Sequence, residues 1–250
     1  MISNKEIIEV LKKVESGNLS AEQALDVLKA HEVKGEEYFL DTLRNLRQGF
    51  EEVIYGRHKT KYQIEEIAKR YIEKGINFLC TGLDVEKIDY LKSKFSDCEF
   101  LEHASMMRKV YTPKKVKGLV SIVTAGTSDL KVAYESSETL NTLGVENKIY
   151  PDIGVAGLHR LFSHKEKLEE SDVIIAIAGM EGALPSVIGG MVSLPIIAVP
   201  TSVGYGTALN GFTPLFAMLT SCASGIVVTN IDNGFGAAMA AFRILKSKYD

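Results

Sequence analysis

The second half of the chain alternates short apolar runs with segments of helical periodicity. Five runs are candidate strands: 119–124, 146–150, 173–178, 196–199 and 226–229. Helical patterns lie between and after them, at 129–143, 158–170, 182–192, 208–220 and 235–248. Runs that are apolar throughout, rather than at alternate positions, are typical of strands buried on both faces of a sheet. The pattern therefore predicts an α/β fold with a flavodoxin-like, doubly wound parallel sheet.

The two halves of the chain differ in composition, and the difference predicts two domains. Residues 119–250 hold 14 of the 21 glycines but only 8 of the 29 Lys and Arg residues. A short basic segment, 113–118, separates the halves. We predict an N-terminal domain at 1–117 and a catalytic or binding domain at 118–250.

The N-terminal half is predicted to be a smaller, mainly helical α/β domain. The capping-box patterns Ser20-x-x-Gln23 and Thr60-x-x-Gln63 mark the starts of two helices. Residues 77–81, in which Phe78, Leu79 and Cys80 are apolar, favour a strand.

Composition excludes several classes of function. A net charge of -3 gives no support to binding of nucleic acid or of an anionic membrane surface. The three cysteines, at 80, 98 and 222, lack metal-ligand spacing, and their odd number argues against a secreted disulfide framework. The polar start, 1–6, predicts no signal peptide, and the apolar stretch 173–180 is too short to span a bilayer. We therefore expect a cytoplasmic protein with neither nucleic-acid nor membrane partners.

Glycine-bearing loops follow the predicted strands, and the carboxyl ends of parallel strands meet at one edge of a sheet. In the first loop, Thr127, Ser128 and Asp129 open a helix, whose free amides favour phosphate. Asp129 could accept hydrogen bonds from ribose hydroxyls. A simple helix cap formed by Ser128 or Asp129 explains the same residues.

His159 and Arg160 follow the second predicted strand and are expected at the same edge. Histidine transfers protons near neutral pH, and arginine holds a phosphate or carboxylate through two parallel hydrogen bonds. The structural alternative is a partly buried histidine and a surface arginine in a first helical turn.

Glu181 follows a wholly apolar run and stands between Gly179 and Gly182. A carboxylate there could stabilise a substrate cation or take a proton, and the flanking glycines indicate close approach of another group to the backbone. The alternative is an acidic residue that balances the dipole at a helix start.

Cys222 precedes the last apolar run and is a candidate nucleophile. It follows a predicted helix, and the negative end of a helix does not lower a thiol pKa. Activation would need a cation such as His159, Arg160 or a positively charged substrate. The alternative is that Cys222 is a small buried apolar group, as most free cysteines are.

Five segments together resemble the LarB family: 124–129, 152–160, 178–187, 199–206 and 230–236. That family makes the first intermediate of the nickel-pincer nucleotide cofactor and is similar in turn to PurE, the aminoimidazole ribonucleotide carboxylase. The resemblance covers nearly all of 119–250. It extends more weakly into Leu40-Asp41-x-x-Arg44-x-x-Arg47-x-Gly49-Phe50 and 52–56.

The resemblance implies a PurE-like fold and a specific reaction. LarB-type enzymes add a second carboxylate from CO2 to the pyridinium ring of nicotinic acid adenine dinucleotide. They also hydrolyse its phosphoanhydride, which releases AMP and a pyridinium biscarboxylate mononucleotide. The resemblance further implies a homo-oligomer, an octamer as in PurE-like proteins. No tightly bound cofactor is expected, although Mg²⁺ could accompany the diphosphate.

The resemblance also implies roles for individual residues. Attack by Cys222 on the ring carbon opposite the nitrogen makes a neighbouring carbon nucleophilic towards CO2. Glu181 is the first candidate, and His159 the second, for the group that stabilises the cation or removes the ring proton. Ser128, Asp129 and Arg160 hold ribose and phosphate, while Thr201, Ser202 and Tyr205 shape the pocket. The remaining residues expected to bind substrate are Thr127, Gly179, Met180, Gly182 and Pro200.

Two other functions stay open at this point. A PurE-type ribonucleotide carboxylase or mutase is disfavoured because PurE has a histidine in the loop that here reads 182–185, and no cysteine at position 222. PurE also has a serine where this chain has Gly126. A non-catalytic nucleotide-binding module predicts binding without turnover and no effect of Cys222→Ser.

Overall fold

A computed structural model describes residues 4–29, 33–34, 39–40, 44 and 48–249. The chain forms two compact units. The first comprises Met1–Phe100 and Met106–Thr112, and the second comprises Leu101–Ser105 and Pro113–Asp250. The domain boundary at 117 and 118 stays a prediction. Across the described ranges, every helix is too short or too polar to cross a membrane.

The first unit combines helices with a small sheet, as predicted. Its helices are α1 (Asn4–Glu15), α2 (Ala21–Lys29), α3 (Lys61–Glu73) and α4 (Val85–Lys92). Two short strands, β1 (Val33–Lys34) and β2 (Phe39–Leu40), pair with each other. A separate sheet has the order β3 (Ile54–Tyr55), β4 (Phe78–Thr81), β6 (Met106–Lys109) and β5 (Glu99–Leu101).

Two helices of the first unit begin where the sequence predicts. The capping boxes at Ser20 and Thr60 both form, through reciprocal bonds with Gln23 and Gln63. Asp41 and Arg47 of the N-terminal motif lie outside the described residues.

The second unit contains the predicted doubly wound sheet, which confirms the fold class. Its parallel strands are β7 (Val116–Thr124), β8 (Val145–Tyr150), β9 (Val173–Ala178), β10 (Ile196–Pro200) and β11 (Ile226–Val228). Their order is β11-β10-β9-β7-β8. This is the flavodoxin arrangement, in which the chain reverses its direction across the sheet between β7 and β9.

Helices cover the two faces of this sheet. They are α5 (Leu130–Leu143), α6 (Leu158–Phe162), α7 (Lys165–Glu169), α8 (Leu184–Met191), α9 (Phe212–Leu219) and α10 (Gly234–Tyr249). Every residue of β9 and β10 is buried, as their uninterrupted apolar runs predict. Ile174 and Ala176 pack with Leu161, Ile188 and Met218, whereas α10 packs on α5 and on β7, β9 and β10.

Two predicted helices are shorter or more broken than expected. The segment 158–170 forms α6 and α7 because the Ser163 Oγ and His164 Nδ1 atoms both contact the carbonyl of Arg160, in competition with the helical bond. The segment 208–220 becomes regular only at Phe212, after Gly211 in a left-handed conformation. A 3₁₀ turn precedes it.

Asp172, just before β9, ties the end of α10 to the sheet. Its Oδ1 atom accepts from Lys248 Nζ and Tyr249 OH, both at 2.6 Å, and its Oδ2 atom accepts from Leu119 N at 2.8 Å. Burial acts to raise the pKa of Asp172, but these donors outweigh it and lower the pKa.

Asp172→Asn should therefore lower the free energy of unfolding at pH 7 by about 1–3 kcal/mol, since three donors lose a charged acceptor. The stabilisation by the carboxylate exists above the ordinary pKa and is lost as pH falls through the lowered folded-state pKa. Denaturant unfolding of both proteins from pH 7 to pH 2 should show the two stabilities converging at acid pH. The control is Asp97→Asn, which removes a carboxylate that is 61% exposed and paired with Lys109 and should change stability little. A constant gap between wild type and Asp172→Asn at all pH values would contradict this account.

Candidate functional site

A cleft of about 300 Å³ opens at the carboxyl end of the parallel sheet. The loops that follow β7, β8, β9 and β10 all contribute to its lining. It therefore lies where the strand order reverses, which is where ligands bind in open α/β sheets. Its charged lining residues are Asp129, Arg160 and Glu181.

A buried hydrogen bond joins two of these loops across the end of β9. Thr201 Oγ1, after β10, donates to Asp129 Oδ1, after β7, at 2.7 Å. The Gly126 amide donates to the other carboxylate oxygen at 2.9 Å. Asp129 is 3% exposed and Thr201 is fully buried. Asp129 thus holds the cleft together as well as lining it.

The environment of Asp129 disfavours its charged form. Burial raises its pKa, although hydrogen bonds from Thr201, Gly126 and Gly179 act in the opposite direction. The negative charge of Asp232 nearby adds to the increase in pKa. A cationic group in the cleft would offset this cost.

The loop after β9 brings its backbone close to the loop after β10. The Met180 amide donates to Val203 O at 2.9 Å, and a Cβ at Gly179 would lie 2.2 Å from that same oxygen. Only glycine fits this position. Met180 has φ 52°, a left-handed conformation that is uncommon outside glycine and occurs at functional sites. This turn places the exposed Glu181 carboxylate on the cleft wall.

The loop after β8 is anchored to the end of β7 by Thr124. Asp152 N donates to Thr124 Oγ1 at 3.1 Å, and Ile153 N donates to Thr124 O at 3.0 Å. Gly154 fits against Ala125, because a Cβ there would lie 2.5 Å from Ala125 O. Arg160 reaches the cleft from α6 and forms an ion pair with Asp152.

The structure brings only part of the predicted set to the cleft. The predicted residues that line it are Ser128, Asp129, Arg160, Gly179, Met180 and Glu181. The predicted residues that do not line it are Thr127, His159, Gly182, Pro200, Thr201, Ser202, Tyr205 and Cys222.

Some of the non-lining residues have clear structural roles. Thr201 positions Asp129, and Ser202 N donates to Asp232 Oδ1 at 2.8 Å. His159 is exposed on α6, and the Tyr205 side chain is 81% exposed. These residues follow β8 or β10 at the predicted edge of the sheet but do not line the cleft, so their part in binding stays a prediction.

Cys222 is exposed, so its thiol is not sealed in the interior. It follows α9 and precedes β11, the edge strand farthest along the sheet from β8. The neighbouring Ser221 Oγ lies 2.7 Å from Ser186 Oγ in the first turn of α8. The segment that carries Cys222 thus lies beside α8, and Cys222 is outside the lining of the cleft in one chain.

Sequence reasoning missed the small residues that shape the cleft and the role of Asp152. Ala125, Gly154, Val155 and Val203 all line it. Each directly follows or lies close to the end of an apolar run, and this position in the sequence could have predicted that they line the cleft. Among the described residues, no group of three or more His, Cys, Asp or Glu side chains is arranged to hold a metal ion.

Comparison with protein families finds two matches in this chain. Residues 119–250 match AIR carboxylase. Residues 36–111 match the LarB/PurE-like N-terminal domain. Together the two matches include the whole cleft and most of the first unit.

The chain is also similar in sequence to individual proteins. An uncharacterized protein of Methanocaldococcus jannaschii is 41% identical over 97% of this chain and 98% of its own length. The N5-carboxyaminoimidazole ribonucleotide mutase of Pyrococcus horikoshii is 36% identical over 56% of this chain and 79% of its own length. The enzyme of the same name from M. jannaschii is 34% identical over 52% of this chain and 80% of its own length.

The close approach at Gly179 can be tested with two glycine substitutions. Gly179→Ala should destabilise the protein by about 1–3 kcal/mol, since the new methyl group overlaps Val203 O and the loops must separate. The control is Gly190→Ala in α8, where nothing lies within 4 Å of the added Cβ. That variant should gain about 0.5–1 kcal/mol from helix propensity. Thermal and urea unfolding measure both, and equal stabilities of the two variants would contradict the packing described here.

Proposed function

Because the chain belongs to the AIR carboxylase family and carries a LarB/PurE-like N-terminal domain, we propose that it is a LarB-type enzyme. Its substrates are nicotinic acid adenine dinucleotide and CO2, and its products are a pyridinium biscarboxylic acid mononucleotide and AMP. The family places it among the PurE-like carboxylases and mutases. The particular substrate and chemistry are our proposal.

The charge of the cleft is the observation that carries the proposal. Two carboxylates, Asp129 and Glu181, line it with one guanidinium, Arg160. That guanidinium is already paired with a third carboxylate, Asp152. Such a lining favours a ligand that carries a positive ring beside its phosphate. A pyridinium nucleotide has this charge pattern, whereas a carboxylated aminoimidazole ribonucleotide has no ring cation.

The size of the cleft supports binding of one nucleotide half. A volume of about 300 Å³ is at the small end of the range for ligand pockets. The ring and ribose phosphate would occupy it, with Ser128 and Arg160 near the phosphate and Glu181 near the ring. The adenylate would extend beyond it.

The proposed carboxylation begins when the Cys222 thiolate adds to the ring carbon opposite the nitrogen. Addition converts the cation to a neutral dihydropyridine, whose enamine carbon is nucleophilic. That carbon attacks CO2 and forms the new carbon–carbon bond, which leaves an iminium at the ring nitrogen. Glu181 removes the proton from the carboxylated carbon, and expulsion of the thiolate restores the pyridinium. Hydrolysis of the phosphoanhydride by water releases AMP.

Mass spectrometry tests this function directly. Incubation of the protein with nicotinic acid adenine dinucleotide and bicarbonate should give a carboxylated mononucleotide and AMP. Cys222→Ser should abolish ring carboxylation, and Glu181→Gln should lower kcat by about 10²–10⁴-fold, the usual contribution of a general base. The control is Cys98→Ser, because burial raises the pKa of that thiol to about 11 and makes it a poor nucleophile.

Each outcome separates the alternatives. Intact substrate after incubation with the folded protein would overturn the LarB-type proposal. Turnover of N5-carboxyaminoimidazole ribonucleotide instead would support the PurE-type alternative. Tight dinucleotide binding without turnover, unchanged in Cys222→Ser, would support a binding module.

We further propose that the protein acts as a homo-oligomer, an octamer by resemblance, in which Cys222 serves the cleft of a neighbouring copy. The support is twofold. Cys222 is exposed but does not line the cleft of its own chain. The residues of the preceding segment include an exposed apolar set: Leu209, Phe212, Phe216 and Leu219, each at least 51% exposed. Exposed apolar patches of this kind mark protein interfaces.

Subunit mixing tests the assignment of Cys222 to a neighbouring cleft. Sedimentation should first show an assembly of about eight chains of 27.4 kDa. Cys222→Ser and Glu181→Gln chains, each inactive alone, are then coexpressed. With random mixing, about one site in four combines an intact Cys222 from one chain with an intact Glu181 from another, and activity should return at those sites. If Cys222 serves its own chain, no mixed site regains both groups and activity stays absent. Full activity in a monomer would exclude the proposal altogether.

A further inference from the structure

We propose that Asp152 is a positioning residue for Arg160. Its carboxylate holds the guanidinium so that the remaining N–H groups face an anionic group of the ligand. The inference rests on the proposed function, in which Arg160 contacts the phosphate of the nucleotide in the cleft.

Two neighbouring residues restrict the guanidinium of Arg160. Nη1 bonds to Asp152 Oδ2. Gly157 also lies close to it, because a Cβ at that position would lie only 2.7 Å from Nε. A guanidinium has five N–H donors in a rigid plane, so one bond to Asp152, with Gly157 close to Nε, restricts that plane and leaves other donors for a ligand. A side chain at position 157 would displace that plane.

Asp152 is itself anchored to the sheet beside the cleft. Its N–H donates to Thr124 Oγ1, and the next amide, of Ile153, donates to Thr124 O. Thr124 is fully buried at the end of β7. Asp152 has φ 55°, a left-handed conformation that few residues other than glycine adopt, with Asp and Asn the most tolerant. Strain of this kind persists where the surrounding contacts hold it and concentrates at functional sites.

The ion pair contributes little to stability, which leaves orientation as its role. The side chains of Arg160 and Asp152 are 38% and 48% exposed. Pairs with this exposure are screened by water and stabilise a fold only weakly. Orientation of an arginine that lines a cleft, in contrast, affects binding strongly, because parallel bonds to a phosphate depend on the angle of the plane.

Asp152→Asn is the informative substitution, since asparagine tolerates the same backbone conformation and keeps the amide bond to Thr124. We expect unchanged thermal stability and unchanged kcat. Titration calorimetry with nicotinic acid adenine dinucleotide should show Kd raised about tenfold, with KM raised equally, the low end of what a charge-assisted hydrogen bond contributes. The control is Asp172→Asn, a carboxylate outside the cleft, which should leave Kd unchanged.

A double-mutant comparison shows whether Asp152 acts through Arg160. In an Arg160→Gln background, Asp152→Asn should add no further loss of binding. The proposal is wrong if Asp152→Asn weakens binding equally with and without Arg160. It is also wrong if Asp152→Asn alone binds the dinucleotide as tightly as the wild type.

Nitrogen NMR of the full-length protein separates this proposal from the proposed function. The Nε–H resonance of Arg160, identified by its absence in Arg160→Gln, should be sharp in the wild type and broadened or shifted in Asp152→Asn. If the wild type fails to bind the dinucleotide but this change occurs, the substrate is wrong and the positioning role stands. If the resonance is the same in both proteins, the positioning role is wrong.

Discussion

The hydrogen bond from Thr201 to Asp129 is the contact on which the geometry of the cleft depends. Its partners are 72 residues apart and belong to the loops after β10 and β7. Since β9 lies between those strands, the bond crosses the end of β9 at Gly179. A Cβ at Gly179 would lie 2.7 Å from Thr201 Oγ1. The bond therefore requires glycine at position 179.

This arrangement explains why a carboxylate sits in a site that raises its pKa. Asp129 is buried, and both of its oxygens accept bonds from groups of the cleft wall. A neutral residue of the same shape would avoid the cost of desolvation but would add no negative charge to the cleft. Burial of the charge next to the binding volume makes its field stronger there than it would be in water. In the proposed function, this cost to folding is offset by selection of a ligand with a positive ring.

The charged residues of the cleft and Cys222 occupy different parts of the chain's surface. Arg160, the proposed phosphate ligand, is paired with Asp152, which offsets part of its positive charge at the cleft. Glu181 lines the cleft from a strained turn beside Met180, and the proposal places the ring next to it. Cys222, the expected nucleophile, is exposed at a different part of the surface. In the proposed function, a single chain therefore holds the binding and proton-transfer groups, and a neighbouring copy supplies the sulfur.

Much of the fold, and the edge of the sheet that holds the cleft, could be predicted from local sequence patterns. Apolar runs such as 173–178 indicated buried parallel strands, because only strands covered on both faces are apolar at every position. The capping box at Thr60 marked a helix start, and strand–loop–helix order placed Ser128, Arg160 and Glu181 at one edge of the sheet. The break between α6 and α7 was missed, since it depends on Ser163 and His164 competing for one carbonyl.

The sequence by itself determined the class of fold, the edge at which the loops meet and the types of residue available there, since periodicity and turn chemistry act over a few residues. Only the tertiary structure decided which of those residues share a volume. Thr201 lies behind Asp129 rather than in the cleft, Asp152 pairs with Arg160, and Cys222 stands apart. Each of these outcomes depends on the distance between loops that are far apart in the chain, and that distance is set by the packing of strands and helices against one another.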